Sequence, residues 1–126
     1  MKLRTPFSKA MGLGSAKEGV SHWWSQRLSA IALIPLTIWL VSTVVCLAGA
    51  NYETVIATLQ APINATLLIL FIATAGYHGS LGVQVVIEDY VNKECTRIGV
   101  LIATKFAIIF LTLLSIVSVF KFAFGG

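Results

Sequence analysis

The chain has 126 residues, 57% of them hydrophobic and only 11% charged. A soluble domain of this length carries about a quarter charged residues, so an ordinary water-soluble globule is excluded, and one small domain leaves no room for a soluble catalytic module. The net charge is +4 and the two cysteines, Cys46 and Cys95, stand alone in different segments, a pattern of small apolar side chains rather than of a disulfide framework or a zinc site.

Residues 1–27 form a basic segment poor in acids, with Lys2, Arg4, Lys9, Lys17 and Arg27. Gly12, Gly14 and Gly19 disfavour a helix there, so the segment reads as an uncleaved bacterial tail that ends at a membrane interface, not as a mitochondrial transit peptide. The remainder, residues 28–126, reads as one transmembrane unit. A hydrocarbon core about 30 Å thick needs roughly 20 apolar residues in helix, and three stretches qualify, at about 28–49, 62–87 and 98–124. The first block is too long for a signal-peptide core of roughly 7–15 residues, so Ala48-Gly49-Ala50 is not read as a cleavage site. Pro35 inside the first span removes a helix hydrogen bond and predicts a kink. The connectors, of roughly ten residues each, predict antiparallel neighbours. The fold class is therefore all-α: an integral membrane bundle of three transmembrane helices, up-down-up.

Orientation follows from the basic residues beside the spans. The N-terminal segment is rich in them, the connector around Asn51 to Gln60 has none, and the second connector holds Lys93 and Arg97. Lys121 lies where it can snorkel to the far interface. This alternation predicts a cytoplasmic N-terminus.

Two clusters are candidates for chemistry. His22, Trp23, Trp24, Gln26 and Arg27 crowd the approach to the first span. They read either as an aromatic and cationic anchor or as a contact for an anionic ligand group, since a guanidinium fork matches a carboxylate. In the second span His78 is the one ionisable group deep in the helix, amid Gly76, Gly79, Ser80 and Gly82. It suits a haem or metal ligand, a proton relay or an interhelical hydrogen bond, and its small neighbours would admit either a second backbone or a flat macrocycle. Asp89 follows His78 by eleven residues, which is about 16 Å along a helix with an angular offset of about 20°. Tyr90 lies at the same membrane edge, where its phenol could donate to a carbonyl oxygen beside the Asp89 carboxylate; Glu88-Asp89-Tyr90 reads equally well as a plain interfacial helix end.

With these residues in view the chain resembles the small hydrophobic membrane-anchor subunits of succinate dehydrogenases (succinate:quinone oxidoreductases). The resemblance rests on Gly19-Val20-Ser21-His22-Trp23-Trp24-Ser25-Gln26-Arg27, on the three-span plan, and on His78 followed by Asp89-Tyr90-Val91. It implies an anchor that performs no catalysis alone. It also implies that His78 is one axial ligand of haem b, with the second from a companion membrane-anchor cytochrome b subunit. Arg27 would then lie near a haem propionate, and Tyr90 would hydrogen-bond ubiquinone, with Asp89 as its polar neighbour. His22 departs by one residue from the family's spacing and is assigned to a propionate or to the interface. The implied partners are the companion anchor, an iron–sulfur subunit, a flavoprotein subunit and membrane lipid, with no nucleic acid; the implied location is a bacterial inner membrane. A different class of reading is a small oligomeric transporter or adaptor that uses His78 in a proton path and Lys105 as a contact. The anchor of a fumarate reductase, with the chemistry reversed, is a third.

Overall fold

The computed structural model describes residues 13–125, with side chains described from Val20 onward. Lys2, Arg4, Lys9 and Gly12, used above for orientation and for the tail, lie outside the described residues, as does the side chain of Lys17. Four helices occur among the described residues: α1 at Leu13–Leu47, α2 at Tyr52–Gln60, α3 at Pro62–Tyr90 and α4 at Glu94–Phe124. Three of them, α1 (from Val20 to Leu47), α3 and α4, are long and apolar enough to cross a bilayer.

Helix α1 starts well before the first apolar stretch and runs through Gly14 and Gly19, contrary to the expectation that these glycines would prevent it. Each interior glycine costs only about 1 kcal/mol, and a helix propagates readily from a span that is already formed. The helix also continues past Pro35, whose missing donor leaves only one carbonyl unpaired. It ends where Gly49 adopts φ 81°, the left-handed conformation that glycine tolerates without a Cβ penalty and that commonly terminates helices.

The connector after α1 holds the short helix α2, which the span pattern does not announce. Asn51 caps it, its side-chain oxygen accepting from the Thr54 amide at 2.9 Å, and Glu53 lies in the first turn, where the helix dipole favours an acid. Helix α2 rests against the adjoining ends of α3 and α4. The Asn64 amide donates to the Thr58 carbonyl at 3.0 Å and ties α2 to the first turn of α3, which opens on Pro62 in the first helical turn. The second connector is only Val91–Lys93, much shorter than the predicted ten or so residues, because α3 extends to Tyr90 and α4 begins at Glu94. Helix ends are set by backbone hydrogen bonding, and polar residues at those ends simply project out of the apolar layer.

Register establishes the up-down-up course. Gln26 lies beside Gly82 and Ser29 beside His78, so α1 ascends as α3 descends. Gly76 faces Thr112, whereas Ile87 and Ile98 line one hollow, so α3 and α4 are antiparallel as well. Helix α3 is central: it packs on both α1 and α4, while among the described residues α1 and α4 form no packed interface with each other. Among the described residues only Ser29, Ala65, Ile87 and Val119 are buried. Large apolar side chains such as Ile34, Ile38, Val45, Phe106, Phe110 and Val117 point outward, as expected of a surface that faces lipid or other subunits.

The α3–α4 seam depends on a bare glycine, because a Cβ at Gly76 would collide with the Thr112 side chain. Overpacking of this kind costs about 1–3 kcal/mol. Gly76→Val should therefore lower the temperature at which the detergent-solubilised protein loses its helical circular dichroism, and pairing it with Thr112→Ala should recover part of the loss.

Candidate site at the seam between α1 and α3

His22, Gln26 and Ser29 lie four and then three residues apart on one face of α1. His78 and Gly82, four residues apart, present one face of α3. The two faces meet. A Cβ at Gly82 would lie 3.9 Å from Gln26 Nε2, an ordinary van der Waals distance that marks the two positions as neighbours across the seam.

Ser29 is 7% exposed, the one polar side chain among the buried described residues. Its hydroxyl donates to the Gln26 carbonyl at 3.0 Å and lies 2.8 Å from His78 Nδ1. Nε2 of the same ring makes no hydrogen bond within the described residues and is not enclosed. It belongs to a ring that borders an open groove of about 430 Å³, whose other walls are Ala30, Leu33, Ile34, Thr37 and Ile38 of α1. A second hollow of about 450 Å³, with Ser25, Leu28, Ala73, Thr74 and Tyr77, flanks Ser29 on the opposite side of the seam. Closer to the start of α1, His22 Nε2 and Gln26 Oε1 are buried without a hydrogen-bond partner. Such atoms are costly unless a further group satisfies them.

Arg27 is exposed, with its guanidinium 5.1 Å from the centre of the Trp23 ring, and Trp23 meets Trp24 edge to face at 5.1 Å. Arg27 precedes Ile34 by seven residues, a rotation of about 20°. It therefore sits on the helix stripe that walls the groove, two turns nearer the start of α1.

Asp89 and Tyr90 are not part of this seam. They are the last residues of α3, both exposed, Tyr90 to 80%. Helix α3 is unbroken, so the twelve residues from His78 to Tyr90 span about 18 Å along the axis. Lys105 lies elsewhere again. With Ser80 it borders two hollows of about 260 and 330 Å³ between α3 and α4, on the side of α3 away from the groove beside His78.

Sequence reasoning singled out His78 but missed Ser29. A serine in an apolar span has no signature of its own, and its one signal was its position on the face that carries His22 and Gln26. Among the described residues no three His, Cys, Asp or Glu side chains cluster to hold a metal ion. Iron at His78 would need its other ligands from a macrocycle and a partner.

The model of the succinate dehydrogenase/fumarate reductase transmembrane subunit family matches residues 1–119. The chain belongs to this family. Among individual relatives it is similar to the succinate dehydrogenase hydrophobic membrane anchor subunit of Rickettsia bellii, at 38% identity over 117 residues, covering 93% of this chain and 94% of the relative. It is also similar to the subunit of the same name from Paracoccus denitrificans, at 31% identity over 106 residues, covering 84% and 82%. The succinate dehydrogenase membrane anchor subunit of Reclinomonas americana is 38% identical over 85 residues, 65% of this chain and 71% of the relative. No solved structure gives a significant match. The family match spans α1, α2, α3 and nearly all of α4, so the seam, the groove and the Asp89-Tyr90 end lie within the region shared with the anchor family.

The Arg27–Trp23 stack is surface-exposed, where cation–π contacts contribute about 0.5–1 kcal/mol. Arg27→Ala should shift the thermal midpoint of the solubilised protein only slightly. A large loss would mean that Arg27 supports the fold itself.

Proposed function

We propose that this chain is the hydrophobic anchor of a membrane-bound succinate:ubiquinone oxidoreductase, holding a flavoprotein subunit and an iron–sulfur subunit to a bacterial inner membrane. The family membership and the names of the relatives support this reading and favour succinate oxidation over the reverse reaction. The exposed apolar faces of α1 and α4 suit a companion membrane subunit together with lipid.

The observation that carries the site assignment is the ring of His78, which is held at Nδ1 by a buried serine, keeps Nε2 without a partner among the described residues, and borders an open apolar groove. A neutral imidazole held in this way fits an axial ligand of haem b. The groove is open on its outer side, which suits a haem shared with a second histidine on the companion anchor subunit. Arg27, on the same stripe, is a cation for a propionate carboxylate. The unpartnered His22 Nε2 and Gln26 Oε1 mark a polar region at that end of the seam, where a propionate or an interface group would satisfy His22. A haem bound there supplies one-electron redox capacity inside the bilayer.

Tyr90 and Asp89 serve ubiquinone at the membrane edge. The Tyr90 phenol donates a hydrogen bond to a quinone carbonyl oxygen and fixes the ring's position. The Asp89 carboxylate orients the phenol and passes a proton from water to that oxygen as the quinone is reduced. In this reading the N-terminus and the Val91–Lys93 connector face the cytoplasm, so electrons and protons reach the quinone from one side. The chain's contribution is geometric, with one rigid helix setting the ligand and the quinone contact about 18 Å apart along its axis.

The deciding experiment is the reduced-minus-oxidised optical spectrum of the purified complex with and without His78→Ala. A b-type spectrum is expected in the wild type and its loss in the variant; a wild-type complex without haem, or a variant with an unaltered spectrum, overturns the ligand assignment. Tyr90→Phe should keep the haem spectrum and lower kcat/KM for ubiquinone roughly two- to tenfold, the effect of losing one hydrogen bond of about 0.5–1.5 kcal/mol. For orientation, alkaline phosphatase fused after Gly125 should be active outside the cytoplasm and a green fluorescent protein fused there should stay dark.

A further inference from the structure

We propose that Ser29 is a positioning residue for the iron ligand: it holds the proton of His78 on Nδ1 and leaves Nε2 as the nitrogen that faces iron. The inference rests on the reading of His78 as a haem ligand and adds which nitrogen binds and what holds the other. It starts from a count of protons. A serine hydroxyl has one hydrogen. Ser29 Oγ lies 3.0 Å from the Gln26 carbonyl oxygen, which only accepts, and 2.8 Å from His78 Nδ1. If the hydroxyl proton goes to Gln26, Nδ1 must carry a hydrogen and donate it to Oγ, and both short contacts are then hydrogen bonds. If the hydroxyl proton went to Nδ1, Oγ and the Gln26 oxygen would face each other at 3.0 Å with lone pairs only. The first arrangement leaves no repulsive contact beside a hydroxyl that is almost wholly buried, where an unsatisfied or repelled polar group is most costly.

Burial also fixes direction. Ser29 is wedged in the α1–α3 seam and lines one hollow there, and its hydroxyl is tied to the carbonyl three residues back in its own helix. The imidazole is thereby tethered through Nδ1 at a point that α1 controls, which leaves Nε2 as its unpartnered nitrogen on a ring that borders the groove lined by Ala30, Leu33, Ile34, Thr37 and Ile38. An acceptor behind Nδ1–H also makes Nε2 a stronger electron donor, because it draws the Nδ1 proton away from the ring. Iron bound to such a nitrogen is stabilised in its oxidised form.

The test uses the purified multisubunit complex with Ser29→Ala, Ser29→Cys and Ser29→Thr, and His78→Ala as a control. The readouts are haem-to-protein ratio, haem midpoint potential by redox titration and the low-spin ferric electron paramagnetic resonance spectrum. Ser29→Ala should raise the midpoint potential, broaden or shift the resonance as the ring loses its tether, and weaken haem retention roughly 10- to 100-fold, the range for loss of an outer-shell partner. Ser29→Thr keeps the hydroxyl and should restore all three. Ser29→Cys offers a weak acceptor of similar size, so its potential should fall between wild type and Ser29→Ala, and it supplies the reading if the alanine variant fails to assemble. Should both Ser29→Ala and Ser29→Cys lower thermal stability while leaving potential and resonance as in wild type, Ser29 merely packs the seam and the proposal fails, with the haem assignment intact. Retention of an unaltered haem spectrum in His78→Ala would instead overturn the ligand reading on which the proposal rests.

Discussion

Inside a bilayer no water stands ready to replace a missing backbone hydrogen bond, so every amide in the hydrocarbon layer must be paired within the chain. The long helices α1, α3 and α4 answer that constraint almost completely, and it explains why α1 persists past a proline that would trouble a soluble helix. What the constraint does not provide is a core. Only four of the described residues are buried, and α1 and α4 leave their apolar sides uncovered and do not pack on each other. A row of helices held together through its middle member is an incomplete bundle, and such a row fits a subunit whose remaining surface belongs to lipid and to other chains.

The middle member bears the organisation. Helix α3 meets α4 where Gly76 admits Thr112, and it meets α1 where Gly82 lies beside Gln26 and His78 beside Ser29. At Gly76 the missing side chain lets α4 approach the α3 backbone closely, the usual solution where apolar surface alone gives helices no preference for each other over lipid. The two sides then diverge in character. Towards α1 lie His78 and the polar ladder of Gln26 and Ser29; towards α4 lie Ser80, Gln84 and the hollows beside Lys105. Because α3 is one unbroken helix, the depth of His78 and the edge position of Tyr90 are mechanically linked.

The sequence announced what depends on length and apolarity: three spans, their antiparallel order and a lone histidine deep in the second span. It concealed what depends on local backbone geometry or on the facing helix. Helix α2 is too short for a span pattern, although Asn51 as a cap and Glu53 in the first turn were there to be read. The ends of α3 and α4 overran the apolar stretches because backbone pairing, not hydropathy, ends a helix. Ser29 was invisible for a different reason. A serine in a span can bond back to its own helix, as Ser115 and Ser118 do in α4, and nothing in the chain order shows that position 29 also faces position 78.

That pairing bears on why a histidine is present at all. As interhelical glue it would contribute little, since hydrogen bonds between membrane helices average only about 0.6 kcal/mol. A seam already closed by Gly82 and Ser29 could pack as well with an apolar residue and avoid the cost of placing an imidazole at membrane depth. The value of histidine over such a residue lies in having two nitrogens that do different things. One is tied to α1 by a buried hydroxyl, and the other has no partner among the described residues, on a ring that borders an open groove. A side chain tethered at one end and unpaired at the other is how a ligand is presented to a group held between two proteins. In the proposed reading, the exposed faces on either side of that groove would be the surface on which a companion subunit completes the site.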